Sequence, residues 1–167
     1  TNINSNQKIV NACTDITGFG LLGHLSEMLD STNKDKSKMN LEPLRIILDL
    51  DNIPVYDGVK ELLDIGFEST LAPSNEIFLK NIYGDKALRF ELLSNHFSPN
   101  SSFYNNMLKI LLDPQTCGPL VVSCPPIYSE KLVHKGPWIR IGFISDWILI
   151  KLFREYLSHQ LIAFFVV

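Results

Sequence analysis

The sequence has few cysteines and no excess of positive charge, and both shortages exclude classes of protein. Its cysteines are Cys13, Cys117 and Cys124, an odd and sparse set in 167 residues that does not make a disulfide framework. We therefore expect a reducing compartment, with cytoplasmic localisation as the default. The formal net charge of −3 argues against a broad basic surface, and we expect no nucleic-acid partner.

The sequence also lacks an uncharged run long enough to enter a membrane. Residues 1–7 are polar and have no apolar signal core. The tail, residues 147–167, is apolar, but it contains Lys151, Arg154 and Glu155, and each charge in a bilayer costs roughly 2.5–3.5 kcal/mol. We predict no membrane span and favour a helix packed on the domain, with foreign sequence that folds poorly as the alternative. The chain begins without methionine, so we expect it to be part of a longer polypeptide.

Apolar residues follow strand and helix periods in turn, which predicts an α/β or α+β domain. Residues 30–40 are predicted to be a polar loop, residues 77–93 have a mixed helical character, and residues 94–106 are irregular. Strands are predicted at residues 8–14, 44–50, 120–123 and 138–144. Helices are predicted at residues 21–30, 58–65, 107–112 and 127–135, the second of them ending at a C-cap glycine, Gly66.

The stretch Cys13 to His24 places an acid at the end of a strand, then a glycine-containing turn, then a helix. The carboxylate of Asp15 is a hard oxygen donor that suits Mg²⁺. Gly18 and Gly20 allow a positive φ and a close backbone approach to a ligand. Thr17 could cap the helix or bind a phosphate oxygen, and the helix start favours an anion. A strand, turn and helix of this composition also occur for structural reasons alone, so both interpretations stay open.

The same stretch lacks a complete nucleotide-binding motif. Gly18, Gly20 and Gly23 match the spacing G-x-G-x-x-G, but no partner acid follows and the P-loop lysine is missing. His24 lies beside Leu21 and Leu25, and we expect it to be a hydrogen-bonded core or boundary histidine. A catalytic base is the alternative, although no partner is visible in the sequence.

A second turn, Asp113 to Pro119, precedes an apolar strand and offers Asp113, Gln115 and Thr116. The favoured interpretation is a structural, capped turn, and the alternative is that these side chains form a functional site. No basic residue lies close in sequence to Cys117 to favour its thiolate, so a small buried residue is expected rather than a nucleophile. Cys13, inside its strand, is also expected to be inert.

Together the two motifs resemble those of the selenophosphate synthetases. Thr14 to Leu21 correspond to the family's threonine-aspartate-isoleucine/valine-threonine-glycine-phenylalanine-glycine-leucine element. Asp113 to Leu120 correspond to its aspartate-proline-glutamine-threonine-serine-glycine-glycine-leucine turn. Residues 53–66 and 139–143 also look similar to family segments, so the resemblance covers roughly residues 8–144.

The resemblance implies a fold and an activity. The fold would be the C-terminal domain of the aminoimidazole ribonucleotide synthetase-like superfamily, with helices packed on a mixed sheet. We assign it to residues 1–146, with residues 147–167 as an atypical tail. The family makes selenophosphate, AMP and phosphate from ATP, selenide and water, needs Mg²⁺, and is usually dimeric.

Site residues follow from the same resemblance. The aspartate that matches Asp15 is a family magnesium ligand, and Thr17, Gly18 and Gly20 would shape the turn around the metal and ATP. The other aspartates, the catalytic cysteine or selenocysteine and a lysine belong to an N-terminal domain that nothing in this chain matches. We therefore assign no catalytic residue here and expect the chain alone to be inactive.

The sequence departs from the family at three places. Pro119 replaces a glycine and removes a backbone N–H donor, Cys117 replaces a serine, and the tail after Ile144 does not resemble the family's end. A non-catalytic module that binds a nucleotide or a partner domain is therefore the alternative. A relative that acts on another substrate is a third interpretation, which the second turn argues against by resemblance.

Overall fold

The computed structural model describes residues 10–83, 90–95, 98, 101–116, 118–146 and 162–166. Strands and helices alternate along the chain, with one pair of helices in succession. In chain order the elements are β1 (Ala12–Asp15), α1 (Gly20–Lys38), β2 (Leu44–Asp49), a 3-10 turn (Leu50–Asn52), α2 (Val59–Asp64), α3 (Ala72–Tyr83), β3 (Phe90–Leu93), α4 (Ser102–Leu112), β4 (Leu120–Cys124), α5 (Pro126–Lys135), β5 (Ile139–Asp146) and β6 (Ile162–Val166).

The strands form one mixed sheet in the order β1-β4-β6-β5-β2-β3. The pair β2 and β3 is parallel, and the other neighbours are antiparallel. This arrangement confirms the expected α/β fold with a mixed sheet. The strand β1 lies at an edge, where its register with β4 pairs Asp15 with Leu120.

Helices cover both faces of the sheet. The main core contains Leu25 of α1, Met107 of α4 and Val121 of β4, all fully buried. Cys124, three residues after Val121, packs instead with Tyr128, and residues three apart on a strand point to opposite faces. The helix α5 therefore covers the face opposite the main core.

The first helix is longer than the sequence pattern predicts. The helix α1 continues to Lys38, so the prediction of a polar loop at residues 30–40 is wrong for most of that segment. The polar residues face solvent or pair along the helix, as Lys34 does with Asp30 and Lys38 does with Asp35. Basic residues in the last turn also suit the negative end of the helix dipole.

Asn33 anchors this extension to the sheet. It is buried, and its amide nitrogen donates to the Leu44 carbonyl at 3.1 Å while its amide oxygen accepts from the Leu44 N–H at 2.7 Å. The Asn33 side chain bonds to a backbone N–H and a backbone carbonyl, as a neighbouring strand would. Hydrophobic periodicity does not distinguish such a polar residue from a residue in a loop. The extension was therefore missed because its stabilising contacts are made with a residue eleven positions away.

Three further segments differ from the predictions. The helix α4 begins at Ser102, earlier than predicted, because the Ser101 side chain accepts the Tyr104 N–H and caps it. The strand β3 was not predicted. Residues 162–166 form β6 between β4 and β5, so the expectation of a helix is wrong for this part of the tail, and residues 147–161 lie outside the described part.

None of the helices in the described ranges is long and apolar enough to cross a bilayer.

We predict that Asn33→Ala lowers the free energy of unfolding by about 2–3 kcal/mol, because it leaves both Leu44 backbone groups without their side-chain partner. Urea denaturation measures this change. Ser31→Ala, on an exposed position of the same helix, is the control and should change stability by less than about 0.5 kcal/mol. Equal stability of the two variants would contradict the anchoring role of Asn33.

Candidate functional site

The turn between β1 and α1 is built around one left-handed glycine. The helix begins at Gly20, whose φ is +67°, and the Gly20 N–H donates to the Thr17 carbonyl at 3.1 Å. Phe19 holds the N-cap position and no side chain caps the helix, so the first of the two roles considered for Thr17, capping the helix, is wrong, and a phosphate contact stays a prediction. Gly18 does not adopt a positive φ, so that expectation holds for Gly20 alone.

His24 fixes the turn from inside the helix. Its Nε2 atom accepts the Thr17 backbone N–H at 3.0 Å and lies 3.0 Å from the Thr17 hydroxyl oxygen. Because a backbone N–H can only donate, Nε2 must be unprotonated and the ring proton lies on Nδ1, which faces the Glu27 carboxylate at 3.4 Å. His24 is therefore the buried, hydrogen-bonded histidine that we expected, and its acceptor nitrogen is occupied by the turn.

The second turn packs directly against the first, and we call residues 15–20 and 113–119 the paired turns. The Ile16 N–H donates to the Pro119 carbonyl, and the Gln115 N–H donates to the Thr17 carbonyl, both at 3.0 Å. A proline lacks the backbone N–H but keeps the carbonyl, so Pro119 can still accept this hydrogen bond from Ile16. The family motifs, nearly a hundred residues apart in the chain, form one local structure.

Two glycines permit this contact. A Cβ placed on Gly118 would lie 1.8 Å from the Ile16 carbonyl oxygen, and one on Gly20 would lie 2.8 Å from the Leu112 carbonyl. Both distances are too short for a real side chain. By contrast, a Cβ on Gly18 would meet nothing within 4 Å, so the backbone is open to its surroundings there. Gly20 therefore serves close backbone packing, and Gly18 is the accessible glycine of the turn.

The second turn is internally hydrogen-bonded, as the capped-turn interpretation predicts. The Gln115 side-chain nitrogen donates to the Asp113 carboxylate at 3.2 Å. Burial raises the pKa of Asp113, against hydrogen bonds from Ser69 and Gln115 that favour the charged form. Burial likewise raises the pKa of the Cys124 thiol. Cys117 lies outside the described residues, and Cys13 is exposed rather than buried, although its expected inertness is untested.

The carboxylate of Asp15 points to solvent. Asp15 is exposed, and directly opposite residues of an antiparallel pair share a face, so its side chain lies on the face of Leu120. Leu120 shares that face with Cys124, because side chains alternate along a strand, and this is the face that α5 covers. Its face is the one opposite the main core, so the side chain does not point into that core. Because Asp15 is also exposed, its carboxylate is accessible to a metal ion.

A cleft of about 890 Å³ opens beside the paired turns. The paired turns contribute five lining residues: Ile16, Asp113, Gln115, Gly118 and Pro119. Most of the remaining lining is apolar and comes from α2, the segment before it and α4, with Glu68 and Lys109 among the charged exceptions. Asp15 does not line this cleft. This cleft and the candidate metal ligand are thus separate features.

The described residues do not form a complete metal site by themselves. No group of three or more histidine, cysteine, aspartate or glutamate side chains that could hold a metal occurs among them. Mg²⁺ takes about six oxygen ligands, including water and substrate phosphates, and usually only one or two protein carboxylates. The geometry therefore fits Asp15 as one ligand of a shared site.

The structure also reveals a residue that the sequence pattern did not single out. Asn75 of α3 is buried and donates from its side-chain nitrogen to the carbonyl oxygens of Gly18 and Leu112, at 3.0 and 2.8 Å. Its neighbours Pro73 and Ser74 are exposed. No local signal separates Asn75 from these exposed neighbours, because both of its partners are far away in the chain.

The whole arrangement lies inside a region that matches a known protein family. The family model described as "AIR synthase related protein, C-terminal domain" matches residues 2–135. The chain belongs to this family. The AIR synthase related C-terminal domain includes both of the paired turns, and the match confirms the fold that the motifs implied.

Bacterial relatives of this AIR synthase related domain carry the name selenide, water dikinase. Those of Caldanaerobacter subterraneus subsp. tengcongensis and Agathobacter rectalis are each 32% identical over 126 residues, which is 75% of this chain but 29% and 30% of the relatives. One from Clostridium botulinum is 28% identical over 142 residues, 82% of this chain and 34% of the relative. The resemblance to selenophosphate synthetases is confirmed, and the chain spans about a third of their length.

We predict that Gly118→Ala lowers the free energy of unfolding by about 2–3 kcal/mol, because the new methyl group forces the paired turns apart. Urea denaturation measures the loss. Gly18→Ala is the matched control and should stay within about 0.5 kcal/mol of the parent, since its methyl group meets open space. A fully stable Gly118→Ala variant would contradict the close contact of the two turns.

Proposed function

We propose that this chain is the C-terminal domain of a selenophosphate synthetase and contributes to its Mg-ATP site. The reaction of the complete enzyme is ATP, selenide and water going to selenophosphate, AMP and phosphate. Selenide, water dikinase is the printed name of the relatives cited above, and the paired turns carry the two motifs of that family. The substrates are inferred from that resemblance and not from a contact with the described residues.

The main support for the proposed metal role is that the Asp15 carboxylate is exposed and lies at the start of a turn whose backbone is held by hydrogen bonds. Its neighbours Ile16 and Thr17 are held by hydrogen bonds from two directions. A carboxylate on such a backbone needs little rearrangement to bind an ion, and preorganised ligands bind more tightly for that reason. Thr17, Gly18 and Gly20 would act by shaping this backbone, and we expect the phosphates of ATP to approach it at the accessible Gly18.

Mg²⁺ would supply charge neutralisation on the polyphosphate of ATP. Asp15 would hold one side of that ion. The remaining aspartates, the nucleophilic cysteine or selenocysteine and a lysine would come from an N-terminal domain, as the family resemblance implies. The complete enzyme would then be a cytoplasmic homodimer, while this chain alone would not turn over ATP.

We predict that the isolated chain forms no AMP from ATP and selenide, because one carboxylate cannot hold Mg-ATP in a reactive geometry. The chain should become active when the part of the Caldanaerobacter relative that it does not match is supplied as a separate polypeptide. In that mixture Asp15→Asn should lower AMP formation by at least about 100-fold, since metal stabilisation is worth several kcal/mol.

Asp35→Asn is the matched control, because Asp35 is an exposed acid on α1 that pairs with Lys38 away from the turn. It should leave AMP formation unchanged. Turnover by the isolated chain would overturn its assignment as an incomplete enzyme. A mixture that stays inactive, or one that Asp15→Asn does not affect, would favour a non-catalytic module instead.

A further inference from the structure

Asn75 makes the contact that joins α3 to the first of the paired turns and to the end of α4, directly before the second. Its side chain is 8% exposed, and its amide nitrogen lies 3.0 Å from the Gly18 carbonyl oxygen and 2.8 Å from the Leu112 carbonyl oxygen. A primary amide has two N–H groups, one for each acceptor. The partners fix the orientation of the amide, since its oxygen in the same place would face two other oxygens.

The two acceptors need an outside donor for physical reasons. Leu112 ends α4, and the last four carbonyls of a helix have no partner within it. Gly18 lies in the turn before α1, where regular hydrogen bonding has not yet begun. One buried side chain therefore satisfies the end of one helix and the turn that leads into another.

The contact continues the series that holds the first turn. The Ile16 N–H is bonded to Pro119, the Thr17 carbonyl to the Gln115 N–H, and the Gly18 carbonyl to Asn75. The bond to Leu112 also ties the same amide to the residue before the second turn. A change at position 75 thus acts on the first turn and on the residue that leads into the second, although Asn75 lies on neither turn.

We propose that Asn75 is a positioning residue that sets the Asp15 turn for binding of Mg²⁺, an inference that rests on the function proposed above. Mg²⁺ demands near-octahedral ligands at about 2.0–2.1 Å, so a ligand carried on a loosened turn binds it poorly. Asn75 acts through the Gly18 backbone and touches no reacting atom. Its loss weakens metal binding more than it weakens the fold.

Amide hydrogen exchange tests the positioning itself on the isolated chain. In Asn75→Ala, the amides of Thr17, Gly20 and Gln115 should exchange about tenfold faster relative to the strand amides of β5, because two buried hydrogen bonds that hold the turn are lost. Asn33→Ala is the matched control, since Asn33 is another buried asparagine with two backbone bonds, both made to Leu44 of β2. It should leave the turn amides unchanged relative to those of β5.

Asn75→Ser offers a second variant, with one hydroxyl donor in place of two N–H groups, and should give a smaller increase. The proposal is overturned if the turn amides of Asn75→Ala and Asn75→Ser exchange no faster, relative to β5, than those of Asn33→Ala. This outcome is independent of metal and of any partner domain, so it does not depend on the proposed function.

The reconstituted mixture tests the consequence for the metal. The Mg²⁺ concentration that gives half-maximal AMP formation should rise about tenfold in Asn75→Ala and stay unchanged in Asn33→Ala, although both lose two buried hydrogen bonds. A purely structural role predicts the same concentration in both variants, and that result would overturn the positioning role. Failure of the parent mixture to form AMP, or indifference to Asp15→Asn, refutes the proposed function instead, and hydrogen exchange still decides whether Asn75 holds the turn.

Discussion

The position of Asp15 depends on the hydrogen bonds between two turns that lie about a hundred residues apart in the chain. The Ile16 N–H and the Thr17 carbonyl are both bonded to the second turn, and Gly118 allows the approach because it has no side chain. These contacts fix the backbone immediately after Asp15. The edge strand β1 would otherwise end freely, and the carboxylate would have no defined position.

This arrangement is compatible with the proposal that the chain contributes one ligand to a shared metal site. An exposed carboxylate keeps its hydration when the chain folds, so it adds little to the free-energy cost of folding. Asp15 can therefore stay accessible to an ion while hydrogen bonds of neighbouring residues fix its backbone. His24 and Asn75 supply the buried bonds on one side, and the second turn supplies those on the other. The chain spans about a third of its relatives, which accords with a site shared between this domain and another.

Local patterns predicted the elements whose stabilising contacts are close in sequence. The strand β2, the helix α5 and the left-handed Gly66 after α2, with φ of +92°, are confirmed. Predictions failed where a distant partner decides the structure: Asn33 turns a polar run into helix, and β6 is a strand because it lies between β4 and β5. The motif at the first turn was visible in the sequence, but the supporting role of Asn75 was not, since its partners lie 57 and 37 positions away.

Locating a divalent ion in the assembled protein tests the central claim most directly. Crystals of this chain with the proposed N-terminal domain, grown with Mn²⁺ in place of Mg²⁺ and with ATP, would place the ion by its anomalous scattering. We predict an ion with an Asp15 carboxylate oxygen among its ligands, at close to the roughly 2.1 Å typical of Mg²⁺. An ion coordinated entirely by other residues, with Asp15 facing solvent, would contradict this prediction.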